Sequence, residues 1–178
     1  EKPIPIELGF ILQRLAEMAE GNADLRHRQP WKAAYSKDYS WLGDAITKHY
    51  QGDDSDVKLL LAGVLKAFER MSVETYQEAA GEYLRKGKHA TLGRGFAHCV
   101  YSPMVELLRY LEAHGFTNFI VSGGDRDFMR VISSDVYGIP PDRVVGSSAG
   151  LRFQLENGIG SVVYKAEPDV FDDGPTKP

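Results

Sequence analysis

Ser122-Gly123-Gly124 follows the apolar run Phe119-Ile120-Val121 and comes just before Asp125-Arg126-Asp127-Phe128. A hydroxyl, two residues without side chains and a helix start, in that order, are the parts of an anion holder. Glycine lets backbone N–H groups approach a ligand closely, and the first N–H groups of a helix, with its dipole, favour negative charge. In an open α/β sheet, ligands gather outside the carboxyl ends of the strands, where this turn falls. The expected cargo is a phosphate or carboxylate held by Ser122, Gly123 and Gly124. Arg126, on the first helical turn, is a further candidate contact. The same residues also make a plain tight strand-to-helix connection, so the spacing alone leaves both readings open.

Other groups were weighed for chemistry. Lys177, in Asp172-Asp173-Gly174-Pro175-Thr176-Lys177-Pro178, has the charge to neutralise a bound phosphoryl group and an attacking carboxylate. Read alone it is a solvated terminal lysine. Gly146-Ser147-Ser148-Ala149-Gly150 has the G-x-S-x-G spacing of a nucleophile elbow, which needs a strand before it and a helix after it. Residues 151–155 alternate like a strand instead, and no histidine follows the serine, so esterase chemistry is disfavoured. His27, His49, His89, His98 and His114 include no pair at i, i+4 spacing, and no metal ligand set is expected from them. Asp53-Asp54-Ser55-Asp56 reads as helix capping, and the acidic residues of 169–173 read as a solvated turn. Trp31, Tyr35, Tyr39, Trp41 and Tyr50 are expected in a core rather than a substrate pocket.

The elements that must position these groups divide by character near residue 100. Before it, three patterns carry apolar residues at helical spacing. Leu8, Ile11, Leu12, Leu15 and Met18 form one, ending at Gly21. Val57, Leu60, Leu61, Val64, Leu65 and Phe68 form another. Tyr76, Ala79, Ala80, Tyr83 and Leu84 form the third, after Ser72. Beyond residue 100, Ser102-Pro103 predicts a helix start with Ser102 as N-cap, and Gly115 its end. A strand is expected over about 117–122, a helix over about 125–137, and a second short strand over 143–146. Asn157-Gly158, between residues 151–155 and 161–164, is a hairpin signal, with a polar loop from Glu167 onward. The expected organisation is a helical module over 1–100 and a partial α/β module over 101–178. Two parallel core strands are fewer than the roughly 4–6 strands of an ordinary sheet. That count, with a start at Glu1-Lys2-Pro3 and an end at Pro178, leads us to expect missing flanks.

Composition narrows the classes. The chain has 178 residues, 43% of them hydrophobic, enough to fill a core. Acidic residues outnumber basic ones, 25 to 21, for a formal net charge of −4. That gives no field for nucleic acid. Cys99 is the single cysteine, so no internal disulfide forms. No apolar run reaches membrane-spanning length, and no signal-peptide pattern opens the chain.

Together these residues resemble the haloacid dehalogenase superfamily, in its phosphoserine-phosphatase-like branch. The likeness covers residues 101–178. It runs through Val121-Ser122-Gly123-Gly124 with Arg126, then Tyr137-Gly138-Ile139-Pro140 and Arg143-Val144-Val145-Gly146, then the hairpin and Lys177. It implies a partial Rossmann-like core with parallel strands and a helical cap over residues 1–100. It also implies a magnesium-dependent phosphomonoester hydrolase working through an aspartyl-phosphate. In that family the hydroxyl at the Ser122 position and the next backbone N–H bind the phosphoryl group, and the lysine at the Lys177 position balances charge. The family's D-x-D-x-T nucleophile motif and its distal acidic metal motif do not occur here. The resemblance therefore implies a middle segment, inactive by itself, with most magnesium ligands outside it. The implied partner is a small-molecule phosphate ester. A phosphotransferase, a dehalogenase or a non-catalytic anion-binding or regulatory module are the alternatives. Neither the ester, the oligomeric state nor the localisation follows from these residues.

Overall fold

A computed structural model describes residues 5–170 and Asp172. Five helices come first: α1 (Ile6–Gly21), α2 (Trp31–Ser36), α3 (Ser40–Tyr50), α4 (Ser55–Phe68) and α5 (Val73–Lys86). Then follow α6 (Ser102–Ala113), β1 (Ile120–Asp125), α7 (Arg126–Tyr137), β2 (Val144–Glu156) and β3 (Ile159–Val170). The architecture is mixed α/β. One sheet has the order β1-β2-β3, with β1 and β2 parallel and β2 and β3 antiparallel.

Local chemistry explains several boundaries. The Ser72 hydroxyl accepts from the Thr75 N–H at 3.1 Å and caps α5. Gly138 ends α7 at φ +71°, where a side chain would be strained. Asn157 and Gly158 both take positive φ, 53° and 80°, which gives the tight turn that their sequence predicts between β2 and β3.

Other boundaries differ from the expectations. β1 does not stop at Ser122. It continues through Gly123 and Gly124 to Asp125, with a shift in its pairing to β2 between Ser122 and Asp125. The two glycines are thus an irregular strand end rather than a separate turn, and α7 begins at Arg126. The short strand expected at 143–146 and the first hairpin strand are one continuous β2. The G-x-S-x-G segment lies inside that strand, with no helix after it. β3 extends to Val170, where a polar loop from Glu167 was expected, because Pro168 and Val170 still pair with β2. Ser102 lies in the first turn of α6 and Tyr101 is the cap residue, with no side-chain capping bond.

The core joins the segments on either side of residue 100. The Phe10 ring packs 5.6 Å from Phe68, 5.7 Å from Tyr76 and 5.5 Å from Phe128, centroid to centroid. Tyr76 meets Tyr164 of β3 at 5.3 Å. Each large apolar side chain fully buried this way contributes roughly 1.5–3 kcal/mol. On α1 it is Phe10, Leu12, Leu15 and Ala19 that are buried, while Leu8, Ile11 and Met18 are half-buried. The loop between α4 and α5 is stitched to β3: the Arg70 N–H donates to the Tyr164 carbonyl at 2.9 Å, and the Tyr164 N–H to the Met71 carbonyl at 3.0 Å. Trp31, Tyr39 and Trp41 pack against the core. Tyr35 is exposed beneath the Arg26 guanidinium, and Tyr50 is almost fully exposed. Among the described residues no helix is long and apolar enough to cross a membrane.

Candidate functional site

The carboxyl end of β1 is where four elements converge: β1 itself, the start of α1, the start of α7 and the middle of β2. The bulge at Gly123-Gly124 turns consecutive backbone N–H groups away from the sheet ladder. Their partners are specific. The Gly124 N–H donates to Ser122 Oγ at 3.1 Å, and the Asp125 N–H donates to Glu7 Oε1 at 3.0 Å. The Asp127 N–H, in the first turn of the helix, donates to Asp125 Oδ1 at 2.7 Å, so Asp125 is the N-cap of α7. The helix N-terminus expected to await an external anion is therefore capped from within. The strand-end N–H of Asp125 does hold an anion, the carboxylate of Glu7. A Cβ on Gly124 would come within 2.5 Å of Glu7 Oε2, so only glycine leaves room for that carboxylate.

Behind this edge lies a polar network. The Tyr76 hydroxyl donates to Asp125 Oδ2 at 2.6 Å. The Tyr164 hydroxyl donates to Asp127 Oδ2 at 2.8 Å. Arg126 Nε donates to Asp127 Oδ1 at 3.0 Å and its Nη2 to Oδ2 at 3.3 Å, while Arg130 reaches Oδ1 at 3.5 Å. Asp127 is 3% exposed, and these donors satisfy its buried oxygens. Burial pushes the Asp125 carboxyl above its ordinary range, against the lowering effect of the Tyr76 and Asp127 hydrogen bonds. Burial does the same to Glu7; the Asp125 N–H opposes the shift and the Asp125 charge adds to it. Both phenols are raised by burial and by the carboxylates they serve, so they act as donors.

On the β2 side, Ser147 Oγ donates to the Gly123 carbonyl at 2.9 Å and accepts from the Asp172 N–H at 3.0 Å. Asp172 thus lies beside Gly123, at the same sheet edge as Ser122. It is 1% exposed, and neither carboxylate oxygen has a hydrogen-bond partner among the described residues. Ser148, also buried, leaves its hydroxyl unpartnered among them.

A cavity of about 190 Å³ opens against this edge. Gly123, Gly124, Asp125 and Glu7 form its polar rim, and Leu61, Val64, Leu65 and Phe68 of α4 form its roof. The expected site residues fall as follows. Gly123 and Gly124 stand at the rim, and Ser122, whose Oγ accepts from the Gly124 N–H, is next to it in β1 without lining the cavity. Arg126 is adjacent, but its guanidinium is taken up by Asp127. Lys177 lies outside the described residues. Glu7, Tyr76, Asp125, Asp127 and Tyr164 were not singled out from sequence. Asp125-Arg126-Asp127 after a strand is the one local signal that marks a carboxylate cap there. Glu7 is 118 positions from its partner and carries no local signal.

Among the described residues, no three His, Cys, Asp or Glu side chains come close enough to hold a metal ion. The magnesium implied by the resemblance has no ligand set among them. No protein-family model matches the sequence, and no curated protein matches it either.

Proposed function

We propose that this chain supplies the cap and the phosphate-holding half of a phosphomonoester hydrolase of the haloacid dehalogenase type. One observation carries the reading: a carboxylate already sits on the Asp125 N–H at 3.0 Å, beside two glycines at the carboxyl end of a parallel strand. A phosphoryl oxygen has the same charge and acceptor geometry. It would enter by displacing Glu7 from that N–H. Ser122, whose proton has no acceptor among the described residues, would donate to a second oxygen. Asp172 lies beside Gly123 at this edge, and Lys177 follows it five positions later in the sequence. The nucleophilic aspartate and magnesium enter this proposal from the resemblance alone.

A second reading, a non-catalytic anion-binding or regulatory module, is favoured by the internal occupation of the same N–H by Glu7. Titration with inorganic phosphate tests the part that both readings share. Amide shifts should concentrate at Gly123, Gly124 and Asp125, and Ser122→Ala should weaken them. Phosphate binding that leaves those three amides unmoved would sink both. Turnover separates them. In a protein that also carries the nucleophile, Ser122→Ala should lower turnover about 10²-fold, as loss of an oxyanion donor does.

A further inference from the structure

The cavity beside the rim has a shape and a lining that bear on which ester is held there. Its volume is about 190 Å³. A dry protein cavity of about 150 Å³ accommodates benzene. One six-membered ring, or a branched alkyl group of that size, fills this space, and a two-ring alcohol exceeds it. Leu61, Val64, Leu65 and Phe68 cover one side, with Pro168 and Val170 of β3 opposite. None of these offers a side-chain hydrogen bond, so an ammonium or carboxylate on the alcohol would lose its water without replacement. The Ser148 hydroxyl on the wall is buried and without a partner among the described residues. It can serve a single small hydrogen-bonding substituent.

We infer that this cavity receives the alcohol part of the phosphate ester, and that the substrate class is a monophosphate of one uncharged ring or of a compact branched alkyl alcohol. The inference rests on the phosphate reading of the Gly123–Asp125 rim. With the phosphoryl group there, the ester oxygen points the alcohol under α4, against Leu65 and Phe68. Specificity for the uncharged alcohol comes from the α4 face, where Leu61, Val64 and Leu65 are only half-covered by the rest of the chain.

Calorimetric titration of the 178-residue chain with phenyl phosphate, O-phosphoethanolamine and inorganic phosphate at neutral pH tests this. Phenyl phosphate should bind about tenfold more tightly than the other two, or better, from burial of the ring. Leu65→Trp, which fills the cavity, should remove that advantage. Leu61→Phe, a smaller filling, should reduce it and serves if the tryptophan variant fails to fold. Equal affinity for phenyl phosphate and inorganic phosphate overturns the inference and leaves the phosphate site standing. Tighter binding of O-phosphoethanolamine overturns it in favour of a cationic alcohol drawn by Glu7. Absence of binding by all three removes the phosphate reading and this inference with it.

Discussion

Asp127 is a buried acid and Glu7 a half-buried one at the same strand end, and their surroundings give them opposite consequences. Asp127 has a phenol, Arg126 and Arg130 arranged around it. Asp127→Ala leaves two guanidinium groups and the Tyr164 hydroxyl without their acceptor. Removing one partner of a buried ion pair costs about 3–5 kcal/mol, and urea unfolding should show a loss of that size. A loss under about 1 kcal/mol would mean that water already serves those arginines. Glu7 has one N–H donor and a neighbouring negative charge, and burial raises its carboxyl above the ordinary 4.5. The folded chain therefore holds the Glu7 proton more tightly than the unfolded chain does. Stability from this group is fully present below the ordinary value and is lost as pH rises through the folded one. Glu7→Gln has no such titration. Its stability relative to the parent should rise between pH 4 and pH 7 in paired denaturant titrations. A difference that shrinks over that range would show hydrogen bonding, rather than burial, dominating at Glu7. At this scale the passage from strand to helix at Ser122-Gly123-Gly124 was legible in the sequence because the pattern is local, and the anion-holding role of these residues stays a proposal. Glu7 was not, because the contact that defines it spans 118 positions.

At the scale of elements, the capped and punctuated pieces were legible. Ser72, Gly138 and Asn157-Gly158 act through bonds to near neighbours, so the residues themselves state the geometry. The full length of β2 was not, because Gly146-Ser147-Ser148-Ala149-Gly150 separates two stretches that each read as a strand. The structure shows why a strand can carry glycine there. A Cβ on Gly146 would lie 2.8 Å from the Gly124 carbonyl oxygen and 3.1 Å from both the Arg126 Cα and its N. These neighbours are backbone, fixed by the β1–α7 junction, so they cannot swing aside. Gly146 sets the close approach that holds the candidate rim against β2. Gly146→Ala should therefore cost about 1–3 kcal/mol, in the range of core overpacking. It should also shift the amide resonances of Gly124 and Asp125. At Gly43 a Cβ would meet nothing within 4 Å, so Gly43→Ala, in the helix α3, should be neutral or stabilising by up to about 1 kcal/mol. Equal effects at the two glycines would refute the packing account of Gly146.

For the molecule as a whole, the change of character near residue 100 is a change in local pattern, while the packing crosses it. Helical periodicity on one side and strand alternation on the other are visible along the chain. The burial of one against the other is not, since it depends on which apolar faces meet. Phe10, Phe68 and Tyr76 share a core with Phe128 and Tyr164. Polar ties run the same way: Glu7 to Asp125, Tyr76 to Asp125, and residues 70 and 71 to Tyr164. Breaking this interface would expose the rings of Phe10, Phe68, Tyr76, Phe128 and Tyr164 together. Local unfolding of one segment alone is then nearly as costly as unfolding everything. The expected behaviour is a single cooperative transition. Both tryptophans, Trp31 and Trp41, lie before residue 100, so their fluorescence follows the helical segment. Amide signals of Val144 and Val163, buried in the sheet, follow the other segment. Urea titration monitored by both should give one midpoint. A sheet transition at distinctly lower urea than the tryptophan transition would mean that the aromatic cluster does not bind the two segments into one unit. The candidate rim, which takes Glu7 from one segment and Gly124 from the other, would then be disassembled before the helices melt.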